Sequence, residues 1–145
     1  MTKSTAPTLA EIDAMAKAAL ALLPAELKPY TGDVVILTQE FPDDDVCREM
    51  ELESPFDILG LYQGTSLADK RIESSGSMPD MVFIYRRPIL DYWCETGEDL
   101  AHVVRHVLIH EIGHHFGFSD ETMEAIEAAA DAEESKKWAA ADADT

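Results

Sequence analysis

The stretch His110-Glu111-Ile112-Gly113-His114-His115-Phe116-Gly117-Phe118-Ser119-Asp120 decides how the rest of the chain reads. It contains H-E-x-x-H and continues as H-E-x-x-H-x-x-G-x-x-D. On a helix, residues four apart lie about 40° apart around the axis and about 6 Å along it. His110 and His114 therefore project from one face and can share one zinc ion. Glu111 lies about 100° further round than His110. It is poorly placed as a ligand from there, but it can reach a water on the metal and take its proton. Gly117 is suited to end the helix in a left-handed conformation. Such a turn swings Ser119 and Asp120 back toward the histidines, so Asp120 is the expected third ligand, with water in the fourth position.

The residues before the motif support a helix. Thr96 followed by Asp99 resembles a capping box, with Asp in place of the usual Glu. Leu100, Val103, Val104, Val107, Leu108 and Ile112 then recur at helical spacing. His102 and His106 extend the four-residue series of histidines. A zinc site needs no more than three protein ligands, so these two are expected at the surface or behind the ligands. His115 lies about 100° from His114 and leaves the ligand face. Either Ser119 or Asp120 can cap the next helix; if Ser119 does so, Asp120 is free for the metal. Glu111, on a helix face that should otherwise be apolar, needs a partner. A metal-bound water is one, and a salt bridge with Arg86 or Arg87 is another.

These eleven residues resemble the zincin metallopeptidases, in the metzincin pattern with Asp in the third place. The chain more closely resembles the small bacterial family of minimal zincins, or minimal metalloprotease-like domains. The matching segments are Pro55-Phe56-Asp57-Ile58-Leu59-Gly60-Leu61-Tyr62, Ile84-Tyr85-Arg86-Arg87-Pro88-Ile89-Leu90, and His110 to Asp120. The resemblance runs from about Val34 into the helix after Asp120. It implies one zinc per chain on His110, His114 and Asp120, Glu111 as general base, and hydrolysis of peptide bonds in a peptide or protein substrate. No separate Met-turn follows the motif, Met123 standing only three residues beyond Asp120. The competing arrangement is that of gluzincins, whose third ligand is a glutamate much later in the chain; Glu133 and Glu134 stand at a suitable distance.

With 145 residues and a net charge of −18, the chain is expected to be one domain with no nucleic-acid partner. Two cysteines, Cys47 and Cys94, form no C-x-x-C pair and fit a cytoplasmic protein with free thiols. No signal peptide or membrane span is evident, and a monomer is favoured.

The fold class expected is α+β: a small mixed sheet of three or four strands packed against the active-site helix. Thr8 and Glu11 should cap a first helix that Pro24 ends. Asp33 to Thr38, Ile58 to Tyr62 and Met81 to Arg86 read as strands. Three aspartates from Asp43 open a short helix, where acidic residues suit its N-terminus. Gly60 within a strand suggests close backbone approach, here to a bound peptide that adds to the Ile58–Tyr62 edge. Gly64 to Ser77 reads as a mobile rim of the cleft, and Pro88 to Trp93 as a short helical turn. A last helix runs toward Trp138, with Met123, Ile126 and Ala130 facing inward. Residues 1–7 and about 139–145 are expected to be flexible. Tyr62 and Tyr85 are candidate oxyanion donors. Two other readings stand beside the peptidase. One is a zinc-holding interaction or regulatory module without peptidase activity. The other is an RNA hydrolase built on a similar His-x3-His helix, against which Glu111 and the acidity argue.

Overall fold

The computed structural model describes residues 5–64 and 79–143, with side chains described as far as 136. The expected mobile rim at 64–77 lies, apart from Gly64, outside the described residues, as do residues 1–4 and 144–145 of the two expected flexible ends.

The described elements, in order, are α1 (Leu9–Ala21), a 3-10 turn (Ala25–Leu27), α2 (Lys28–Thr31), β1 (Val35–Gln39), α3 (Asp44–Glu49), β2 (Gly60–Gln63), β3 (Met81–Tyr85), α4 (Arg86–Thr96), α5 (Leu100–Phe116) and α6 (Asp120–Ala143). The fold is α+β, with a three-stranded mixed sheet in the order β1-β3-β2. β1 runs parallel to β3, Leu37 opposite Phe83. β2 runs antiparallel to β3, Leu61 opposite Phe83.

Side-chain alternation explains which face of the sheet is covered. Ile36 is buried, whereas its neighbours Val35 and Leu37 remain exposed. α1 packs on β1 and on α5, and α5 lies against β2 and β3. Ile12, Ala16 and Ala19 of α1, Ile36, Val82 and Ile84 of the sheet, and Val103, Val104, Val107, Leu108 and Ile112 of α5 form one core.

Local chemistry sets the helix ends. The Thr8 hydroxyl accepts from the Glu11 amide at 3.1 Å, and the Glu11 carboxylate accepts from the Thr8 amide at 3.2 Å, completing the expected capping box. Asp43 caps α3 by accepting from the Val46 amide at 2.9 Å. α4 is longer than the short turn read from the sequence, because it starts at Arg86, directly after β3, and runs to Thr96. Pro88 falls in its first turn, where no amide donor is needed. Gly97, at φ 70°, ends α4 in the left-handed region. Thr96 thus closes α4, and Asp99 instead caps α5 by accepting from the His102 amide at 3.2 Å.

Candidate metal centre

α5 carries the motif, and its end has the geometry the glycine demands. Gly117 takes φ 74°. The Phe118 amide then donates to the Gly113 carbonyl at 2.8 Å and the Gly117 amide to the His114 carbonyl at 3.4 Å, the paired bonds of a Schellman turn. The Ser119 hydroxyl accepts from the Thr122 amide at 3.1 Å and caps α6. Asp120 is therefore the first residue of α6, with its carboxylate not used as the cap. Met123 supports the motif helix from α6. A side chain at Gly113 would lie 2.3 Å from the Met123 sulfur, so glycine is what lets this buried methionine seat against the helix.

The four-residue series of histidines forms a row along α5. The His110 ring lies 4.0 Å from that of His106 and 5.8 Å from that of His114, centroid to centroid. Burial holds the His110 pKa below its ordinary value. The neighbouring His106 and His114 act in the same direction, against the charges of Glu127 and Asp120. A neutral imidazole is the form that binds metal.

Glu111 points toward β2. In the β2–β3 pairing, the Tyr85 amide donates to the Leu59 carbonyl, so the amide of Tyr62 faces outward. That amide donates to the Glu111 carboxylate. Burial raises the Glu111 pKa, opposed by the charge of His114 and by this hydrogen bond. Neither arginine offered by the sequence pairs with Glu111. The Arg86 Nε donates to the Pro7 carbonyl at 2.7 Å and its Nη1 pairs with Glu40 at 2.9 Å. Arg87 lies over the Phe41 ring.

Three other expectations change. Gly60 permits close approach within the chain, to the Val107 side chain and the Phe83 carbonyl. The Tyr62 hydroxyl donates to Asp80 at 2.7 Å, and burial raises its pKa. Tyr85 is 1% exposed, and burial pushes its phenol up to about 12. The Tyr62 hydroxyl is thus engaged by Asp80 and Tyr85 is enclosed in the core. His115 stacks on Tyr62 at 3.9 Å.

The tightest convergence of ligand atoms among the described residues is a different one: His106, His110 and Glu127 lie within 4.8 Å of one another. His114 and Asp120 stand outside that group, although the charges of both reach His110. His106 Nδ1 and Glu127 Oε1 are 2.5 Å apart. The signal for this group was present in the four-residue spacing of the histidines and in Glu127, which follows the inward-facing Ile126. The alternative acidic ligands are engaged elsewhere. Glu134 and Asp131 both pair with Arg105, which is buried on α5, and Glu133 lies 3.6 Å from Lys136.

The donor set fits zinc. Two imidazoles share one helical face, the pKa of His110 favours its neutral form, and acidic groups approach from α6. A mixed sheet with a histidine-bearing helix across it and a half-buried glutamate beside the histidines is an arrangement consistent with a zincin-like fold. The model of the zincin-like metallopeptidase family matches residues 31–130, and the chain belongs to that family. Membership implies zinc binding. No curated protein matches the chain. No helix among the described residues is long and apolar enough to cross a membrane.

Proposed function

We propose that the protein is a zinc-dependent peptidase in which His110, His114 and Asp120 hold the metal and Glu111 is the general base. The observation that carries this reading is the state of Glu111. It is a half-buried carboxyl beside His114, on the motif helix and facing β2, with its pKa raised by burial and its carboxylate oriented by the Tyr62 amide. A raised pKa brings a carboxylate closer to the range in which it accepts and returns a proton near neutrality. Zinc, when bound, supplies a Lewis acid that acidifies water and polarises a carbonyl. Glu111 accepts the proton of the attacking water and delivers it to the leaving amine. The Tyr62 amide holds the carboxylate in place during both transfers. Tyr62 lies on β2, which pairs on one side with β3; an extended peptide aligned along its other edge meets Glu111 directly.

The test is digestion of a broad peptide library by zinc-loaded protein and its Glu111→Gln variant. Zinc content should be the same, and cleavage should fall by roughly 10²–10⁴-fold in the variant. Equal cleavage by both proteins removes Glu111 from its role. A full zinc site with no cleavage by the wild type favours the zinc-holding interaction module.

A further inference from the structure

We propose that His106, His110 and Glu127 form a second divalent-metal position, one helical turn before the His110–His114 pair and in competition with it for His110. This rests on the reading that His110 and His114 hold the zinc. Two imidazoles and a carboxylate are a donor set that zinc accepts, with bonds of about 2.0–2.2 Å. One ligand atom from each residue already lies within 4.8 Å of the other two. Side-chain rotation can close such a group around an ion, because both backbones are fixed. The α5–α6 contact is set by buried Met123 against Gly113, with Ile126 and Ala130 also buried along α6.

The surroundings suit a metal. The Glu127 side chain is only 17% exposed, and its carboxylate lies against His106 Nδ1. The His106 and His110 rings lie face to face at 4.0 Å, tilted by 34°. A cavity of about 210 Å³ opens beside His106 and is lined also by Leu59, Val103, Val107, His102 and Glu98. It offers a path for an ion, and His102 or Glu98 could complete the coordination.

His110 belongs to both positions, so filling the upper one withdraws it from the lower. An ion on His106 and Glu127 lies about one helical turn, roughly 5 Å, from the position beside Glu111. The chain can then hold zinc without using it, and its zinc content and its active fraction become separate quantities.

The experiment uses the full chain stripped with chelator and titrated with zinc chloride and with cobalt chloride. Bound metal is read by equilibrium dialysis with elemental analysis and by the visible spectrum of bound cobalt. Circular dichroism checks that each variant is folded. His114→Ala removes only the lower position. The expected result is that His114→Ala still binds one equivalent of either metal, with a cobalt spectrum unlike that of the wild type. Adding Glu127→Gln or His106→Ala should then weaken binding at least tenfold. If folded His114→Ala binds neither metal, the proposal is overturned. It is also overturned if that binding survives both additional substitutions unchanged. The double variant His106→Ala/Glu127→Gln tests the other reading. Its failure to bind zinc would overturn His110, His114 and Asp120 as the ligand set while leaving the upper position intact.

Discussion

Gly60→Ala tests how closely the sheet must approach the motif helix. A Cβ at position 60 would stand 2.8 Å from Val107 Cγ1, 2.9 Å from the Phe83 carbonyl oxygen and 3.5 Å from Glu111 Cγ. Carbon atoms make their best contact at about 3.5–4.0 Å, so β2 must retreat by roughly 0.5–1 Å. Two of the neighbours cannot easily yield. Val107 is buried and stiff at χ1. The Phe83 oxygen is backbone in the central strand. Overpacking of this kind costs about 1–3 kcal/mol. The smaller unfolded-state entropy of alanine returns about 0.4–1 kcal/mol. The net loss of about 1–2 kcal/mol should lower Tm by roughly 2–8 °C for a chain of this size. Thermal unfolding followed by circular dichroism on metal-free protein measures it. In a Val107→Ala background the same substitution should cost less, because one of the two close contacts is gone, but it should still cost something, because the carbonyl remains. A Gly60→Ala protein as stable as the wild type would refute the close approach of β2 to α5.

Arg105 is 3% exposed and pairs with Asp131 and Glu134, while its Nε has no hydrogen-bond partner among the described residues. Asp131→Asn with Glu134→Gln leaves a buried cation uncompensated. That pair should cost more stability than Arg105→Met, but less than the roughly 3–5 kcal/mol of a fully buried pair, since both acids are part-exposed; denaturant unfolding at low salt decides the order. Glu111 supplies a pH signature in metal-free protein. Its folded pKa lies above the ordinary 4.5, so ionising it opposes folding. That penalty is absent below the ordinary value and grows as pH rises through the folded one. Glu111→Gln should therefore unfold at a higher temperature than wild type at neutral pH and at the same temperature near pH 4; an advantage that widens in acid would contradict the raised pKa.

The local signals are legible in the sequence. The Thr8–Glu11 box, the acidic start of α3, the Gly117 turn and the apolar stripe of α5 each depend on neighbours within a few residues, and each is present; of the two caps that the sequence offers α6, Ser119 is the one used. Asp99 rather than Thr96 caps α5 because Gly97 ends one helix just before the next begins, and two helices so close in sequence leave the choice of cap to the turn. What escaped the sequence lies between α5 and α6. Arg105 sits in the middle of an apolar run, and only the rotation of α6 brings Asp131 and Glu134 over it. The same rotation brings Glu127 to His106 and sets Glu134 against Arg105. Spacing gives the faces of each helix but not the angle at which two helices meet. Gly60 was legible as a place of close approach, yet the partner was Val107 of the chain itself, a contact between distant segments that no local pattern encodes.

The most direct measurement for the central reading is anomalous diffraction at the zinc edge from crystals of protein loaded with one equivalent of zinc. The reading predicts one principal peak bonded to His110, His114 and Asp120, with the Glu111 carboxylate beside it and not among the ligands. A principal peak that omits His114, or an ion coordinated by Glu111, would contradict it.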